Sequence, residues 1–275
     1  MHKFVSYNRK ILLNSAINLP AISSAALYGK GIFTTLAVYD SKPFLWEKHW
    51  RRLIENAEKL GIDLLNFDED TVIKSLFELI AKNEISNARV RITFFDTSAN
   101  SIWETESRIK TSLLIQTSDF RAISEKLNLT ISPFQINSKS PITNIKSCNY
   151  LENILAYEDA KLKVFDEAIR LNECGEIASA CLANVFWVKN QKLFTPDLET
   201  GCLAGTMREF IIETAIEKRF EMSFVKSNLD VLLVADEVFL TSSALNIASV
   251  RKIDDFYFND EFCRDFNFDL ISNTN

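Results

Sequence analysis

Two hydrophobic periods alternate along this 275-residue chain, and this alternation most constrains what it can fold into. Over residues 47–60, Trp50, Leu53, Ile54, Ala57 and Leu60 recur at steps of three and four. That spacing builds one buried helix face, and Gly61 is a suitable stop. Over residues 88–95 the period becomes two: Val90, Ile92 and Phe94 alternate with Arg89, Arg91 and Thr93. That pattern describes a strand with one buried face.

The same switching runs through the rest of the chain. Residues 3–13 predict a hairpin turning at Asn8, and residues 32–39 a strand ending in a turn at 40–43. A helix is predicted over 69–81 with Asp68 as its cap, and a strand over 107–117. Further helices are predicted over 151–162 and 206–218, and a closing helix over 259–266. Strands are predicted over 167–171, 184–188, 192–195, 238–241 and 248–253; Asn190-Gln191 turns a hairpin, and Glu173, Cys174 and Gly175 make a turn. Leu232, Leu233 and Val234 fit either state. The expected fold class is therefore α/β in the mixed α+β sense. The expected division is a smaller α/β domain over 1–117, a linker over 118–125 and a larger domain over 126–275.

Composition narrows the function classes. The formal net charge is -6, and basic residues such as Lys48, Arg51 and Arg52 are diluted by Glu47, Glu55 and Glu58. Nucleic acid is not an expected partner. Five cysteines without a CxxC pair argue against a disulfide framework and for a reducing compartment. With two histidines, His2 and His49, no histidine-built metal site is expected. No run approaches the ~20 apolar residues that cross a bilayer, and the N-terminus is a poor signal peptide, so the expected location is cytoplasmic with no membrane partner. The 21 phenylalanines are read as core. Dinucleotide and P-loop glycine signatures are missing.

Three stretches carry a more specific signal: YGKGIFTTLAVYDSKPFLWEKHWRRL, IKSCNYLENILAYEDA, and DEAIRLNECGEIASACLANVFWVKNQKLFTPDLETGCLAGTMREF. Their order and content resemble the fold-type IV, or class IV aminotransferase-like, enzymes that depend on pyridoxal 5'-phosphate (PLP). The resemblance implies the two-domain fold of the D-amino acid transaminase-like enzymes, a homodimer and a small-molecule amino substrate.

The resemblance also implies roles for individual residues. Lys146 matches the Schiff-base lysine, whose amine can join an aldehyde and then act as base and acid. Glu176 matches the carboxylate that meets the pyridine nitrogen. Arg52, in His49-Trp50-Arg51-Arg52-Leu53, matches a phosphate-binding arginine. Gly205, Thr206 and Met207 match a phosphate cup at a helix start, although most relatives read Gly-Ile/Val-Thr-Arg where this chain reads Gly-Thr-Met-Arg. Thr241 and Ser242 match a second phosphate-side element. Tyr150 is read either as a contact to the ring hydroxyl or as a core tyrosine at a helix start.

Phe33-Thr34-Thr35, Met207 and Cys181-Leu182-Ala183-Asn184-Val185-Phe186-Trp187 are similar to the 4-amino-4-deoxychorismate lyase branch, an activity of folate biosynthesis. Thr34 and Thr35 are then candidates to place a proton on the leaving group, Thr34 being preferred. Arg89 and Arg91 are candidates for a dicarboxylate substrate or, alternatively, charges on a solvated sheet face. Lyase relatives commonly carry a Gly- and Arg-rich loop where this chain has Asp96-Thr97-Ser98-Ala99-Asn100. An aminotransferase acting on branched-chain or D-amino acids, and a non-catalytic PLP binder, are the alternatives.

Overall fold

The computed structural model of the chain describes residues 1–99, 110–120, 124 and 126–263. By contacts the chain divides into two units: Met1–Arg121 with Ile145–Asn149, and Ala122–Asn144 with Tyr150–Asn275. The linker expected at 118–125 lies partly outside the described residues.

The first unit is a six-stranded sheet backed by two helices. Its strands are β1 (Phe4–Tyr7), β2 (Lys10–Leu13), β3 (Gly31–Tyr39), β4 (Lys42–Pro43), β5 (Ala88–Asp96) and β6 (Thr111–Ser118). They lie in the order β2-β1-β6-β5-β3-β4, with every pairing antiparallel. A short helix, α1, spans Ser24–Tyr28. Both tight hairpins turn through paired residues in the left-handed region, Asn8-Arg9 and Asp40-Ser41. That is the turn whose twist matches the flanking strands.

Helix α2 (Trp46–Leu60) and helix α3 (Glu69–Lys82) cover one sheet face. Asp68 caps α3 by accepting from the Thr71 amide, as the sequence predicts. The core joins Trp46, Trp50, Leu53 and Ala57 of α2 to Val72, Leu76 and Leu79 of α3 and to Ile32, Leu36, Val90, Ile92 and Phe94 of the sheet. Burying each such side chain is worth roughly 1.5–3 kcal/mol. Ile54, counted in the predicted stripe, is exposed. The α2 face instead buries His49, Arg52 and Asn56 beside the apolar stripe.

The second unit holds β7 (Lys126–Ile131), α4 (Leu151–Leu162), β8 (Glu167–Leu171), β9 (Ile177–Ala180), β10 (Asn184–Lys189), β11 (Lys192–Pro196), α5 (Thr206–Glu217), β12 (Met222–Val225), α6 (Asp230–Leu233), β13 (Glu237–Ser242), β14 (Asn246–Ile253) and β15 (Phe256–Tyr257). The sheet runs β12-β11-β10-β13-β14-β7-β8-β9, with β15 on β14. β7 is parallel to both β14 and β8, and β11 is parallel to β12. A parallel pair needs a crossover, and α4 lies within the one from β7 to β8. Residues 232–234, ambiguous by pattern, fall at the end of α6. Of the expected closing helix, 261–263 are helical and 264–266 lie outside the described residues.

Residues 145–149 interrupt that crossover and belong to the first unit, not to the 126–275 unit expected from sequence. The reason is backbone pairing. The Phe33 amide donates to the Lys146 carbonyl at 2.9 Å and the Cys148 amide to the Gly31 carbonyl at 2.8 Å, flanking an antiparallel bridge between Ile32 and Ser147. Gly31 permits the approach, because a Cβ there would stand 2.9 Å from Cys148 Sγ and 3.0 Å from the Phe94 carbonyl oxygen.

Candidate active site

In the first unit, side-chain alternation along β3 and its neighbour β5 sorts the functional groups onto two faces. Thr34 points with Ile32 and Leu36 toward the helices, where all three are fully buried. Phe33 and Thr35 point the other way. They lie opposite Thr93 and Arg91 in the β3–β5 register. The Arg91 guanidinium carbon stands 3.6 Å from the Phe33 ring centroid, and Lys146 Nζ stands 4.7 Å from the same centroid. One aromatic ring thus borders both the Arg91 guanidinium and the Lys146 amine. Arg91 also donates from Nε to Thr93 at 3.3 Å. Arg89 is half-buried two residues along the same face.

These neighbours change the chemistry of Lys146. Burial of its amine, then the charges of Arg52 and Arg91, hold its pKa well below the ordinary lysine value. A neutral amine at lower pH is the nucleophile and base that imine chemistry requires. His49 is driven in the same direction by burial, then by Arg52 and Lys146, and is held well below the ordinary histidine value. The Thr34 hydroxyl lies 2.6 Å from His49 Nδ1 and accepts from Arg52 Nη2 at 2.6 Å. His49 entered the sequence analysis only as a motif marker. Its signal was the polar set His49, Arg52 and Asn56 at steps of three and four next to an apolar stripe.

Next to this cluster, Asp96 is buried, pairs with Lys30 at 3.2 Å and accepts from the Ser98 amide at 2.9 Å. The chain leaves β5 through this pinned turn; Asn100 lies outside the described residues.

In the second unit the expected residues fall into two groups. Glu176 follows the Cys174-Gly175 turn and is fixed by Asn172. Asn172 donates to Glu176 Oε2 at 2.8 Å and accepts from the Glu176 and Cys174 amides at 2.9 and 3.0 Å. Asn172 is buried, and sequence reasoning missed it. Gly205 caps α5 with extended backbone, and Thr206, Met207 and Arg208 form the buried first turn. A Cβ on Gly205 would overlap Asn184 Oδ1, while the Asn184 amide donates to the Leu203 carbonyl at 2.8 Å. Gly205 supplies no side-chain cap, and the first amides of a helix are donors that suit an anion.

Thr241 donates to the Asn246 carbonyl at 2.8 Å, and the Ser242 hydroxyl accepts from the Ala244 and Leu245 amides. Both hydroxyls shape the turn. The hydroxyl beside Thr206 is that of Ser243, at 3.3 Å, a residue absent from the sequence expectation. Tyr150 is the residue at the start of α4, and its carbonyl accepts from the Ile154 amide.

In the first unit the lysine amine of lowered pKa suits an aldehyde; in the second, the start of α5 suits a phosphate and the carboxylate held by Asn172 a pyridine nitrogen. Among the described residues no group of His, Cys, Asp or Glu is arranged to hold a metal ion, and no helix is long and apolar enough to cross a membrane.

A family model for class IV amino-transferases matches residues 31–253. The chain belongs to that family, the PLP-dependent class to which its sequence was compared, and it is an enzyme of that class. It is 31% identical over 233 residues to aminodeoxychorismate lyase of Bacillus subtilis (strain 168), covering 83% of this chain and 79% of that protein. It is 24% identical over 263 residues to the branched-chain-amino-acid aminotransferase of Escherichia coli (strain K12), covering 91% of this chain and 85% of that one. The structure superposes on the branched-chain aminotransferase from Thermoproteus uzoniensis with norvaline at TM-score 0.91, with 21% identity, over 98% of this chain and 93% of that one. The 4-amino-4-deoxychorismate lyase from Pseudomonas aeruginosa gives TM-score 0.86 at 22% identity, over 97% of this chain and 97% of that one.

Proposed function

We propose that this enzyme is a lyase converting 4-amino-4-deoxychorismate to 4-aminobenzoate and pyruvate. The observation that carries the proposal is the 31% identity to the Bacillus subtilis lyase across 83% of the chain. Thr34, where branched-chain and D-amino acid transaminases more often have glutamate, points the same way.

When bound, PLP supplies an electron sink for a carbon bearing the substrate amine. The chain's residues do the rest. Lys146 would hold the cofactor at its aldehyde carbon. The Lys146 amine, its pKa lowered by burial and then by Arg52 and Arg91, is the base assigned to the ring proton at C4. The bond from the ring to the enolpyruvyl oxygen breaks, pyruvate leaves after gaining a proton, and the ring becomes aromatic with its nitrogen retained. That proton is assigned to Thr35, on the face with Arg91 and Phe33, in place of the Thr34 preferred from sequence, whose two contacts lie on the helix side.

Arg91 is assigned to a substrate carboxylate, with Arg89 as its neighbour on the same strand face. Arg52, Gly205, Thr206 and the Met207 amide are assigned to the cofactor phosphate, and Glu176 to the ring nitrogen. Thr241 and Ser242 support that phosphate site by shaping its neighbouring turn. Tyr150 is assigned to the ring hydroxyl, and the working form to a homodimer.

A product assay on purified, PLP-loaded enzyme tests the proposal. Stoichiometric 4-aminobenzoate and pyruvate from aminodeoxychorismate are expected. Amino transfer between branched-chain amino acids and 2-oxo acids, with no 4-aminobenzoate, would replace the lyase by a transaminase. That second reading is favoured by the match to the Escherichia coli aminotransferase over 91% of the chain.

A further inference from the structure

Thr34 is fully buried and lies on the helix side of β3, so its hydroxyl is closed to water. Two groups meet it at 2.6 Å: Arg52 Nη2 and His49 Nδ1. It has no third hydrogen-bond partner among the described residues. The proton inventory then has one economical solution. A guanidinium only donates, so the Thr34 oxygen accepts from Arg52. The single Thr34 proton then has one acceptor within reach, His49 Nδ1. If Nδ1 carried a hydrogen instead, the Thr34 hydroxyl would be left as a buried donor with no acceptor, which costs about 1–3 kcal/mol.

We propose that Thr34 is a positioning residue: it accepts from Arg52, donates to His49 Nδ1, and so fixes a neutral, Nε2-protonated His49 and one orientation of the Arg52 guanidinium. This proposal rests on the assignment of Arg52 to the cofactor phosphate and extends it one residue inward. The positive charges around His49 act in the same sense, since an imidazolium there would face Arg52 and Lys146. Helix α2 supplies His49 and Arg52 three residues apart, on adjacent turns of one face, and β3 supplies the hydroxyl that joins them. A glutamate at this position would add a negative charge against Arg52. Threonine ties the guanidinium without adding a charge of its own.

The chain has two histidines, so its imidazole nitrogens can be resolved individually in 15N-labelled protein, with His2→Gln assigning the pair. Long-range 1H–15N correlation at pH 7 is expected to show His49 with an unprotonated Nδ1 and a protonated Nε2. A protonated Nδ1 would overturn the proposal. Thr34→Ser is expected to keep both that pattern and the PLP dissociation constant. Thr34→Val, which removes only the donor and acceptor, is expected to lose the pattern and to weaken PLP binding about tenfold. An unchanged dissociation constant and spectrum in Thr34→Val would also overturn it. If that variant does not fold, the wild-type and Thr34→Ser spectra still decide. Failure of borohydride to fix PLP on Lys146 would sink the assignment of the site while leaving the histidine measurement intact, so the two failures are distinguishable.

Discussion

The two units furnish their candidate residues by different physics. In the first, Lys146 beside β3 and His49 of α2 are pushed toward their neutral forms by burial and then by neighbouring charge, Arg52 for both, Arg91 for Lys146 and Lys146 for His49. In the second, the groups are backbone amides, neutral hydrogen-bonding side chains and one carboxylate, held by tight geometry. Asn172 locks Glu176, and Asn184 crowds Gly205. The first region should therefore respond to changes in charge, and the second to changes in shape everywhere but at the Glu176 carboxylate.

The largest break in that comparison is expected from Lys146→Ala. Turnover should fall by about four orders of magnitude, since both covalent attachment and the general base are lost. Steady-state kinetics would check it, and near-normal kcat would remove the role of this amine. Gly205→Ala is next. Its Cβ must displace Asn184, so cofactor affinity should drop and stability should fall by about 1–3 kcal/mol. A cofactor titration and a denaturant melt read the two effects, and a variant with unaltered values would show that the helix start is not a shape-limited site.

Glu176→Gln keeps an oxygen for Asn172 but removes the charge. It should slow turnover about tenfold or more with little change in melting temperature. Equal losses in Glu176→Gln and Asn172→Ala would mean that geometry, not charge, is what Glu176 contributes.

The smallest effect concerns pH and belongs to the first region alone. The folded-state pKa of Lys146 lies below its unfolded value near 10.5, so the unfolded chain binds more protons between the two. Apoprotein stability should thus rise with pH through that window from this residue, reaching its full value above the unfolded pKa. Lys146→Met should stabilise the apoprotein at pH 7, and the gain should shrink as pH approaches 10.5. Paired urea melts at both pH values would test it; a pH-independent difference would mean that Lys146 is charged in the fold.

Much of the architecture could be read from the chain because its signals are local. Asn8-Arg9 and Asn190-Gln191 turn as their composition says, and Asp68 caps α3. The strands β4, β7, β9, β12 and β15 are not predicted from the sequence. β9 is Ile-Ala-Ser-Ala, with neither alternation nor branched bulk, and it is a strand because β8 pairs with it. The arrangement of the site was harder still. Motif register selected Lys146, Arg52 and Glu176, but nothing local says that 145–149 leaves its own crossover to pair with β3. Nor does spacing reveal that Thr34 faces the helices and Thr35 faces Arg91 until the strand's partners are known. Asn172 and Ser243 were missed because their importance lies in what they hold, which only the folded chain defines.

Reduction of the PLP-loaded protein with borohydride, followed by peptide mapping, tests the central claim most directly. The account predicts a single pyridoxyl adduct on the Nζ of Lys146. An adduct on another lysine, or none in protein that binds PLP, would contradict it.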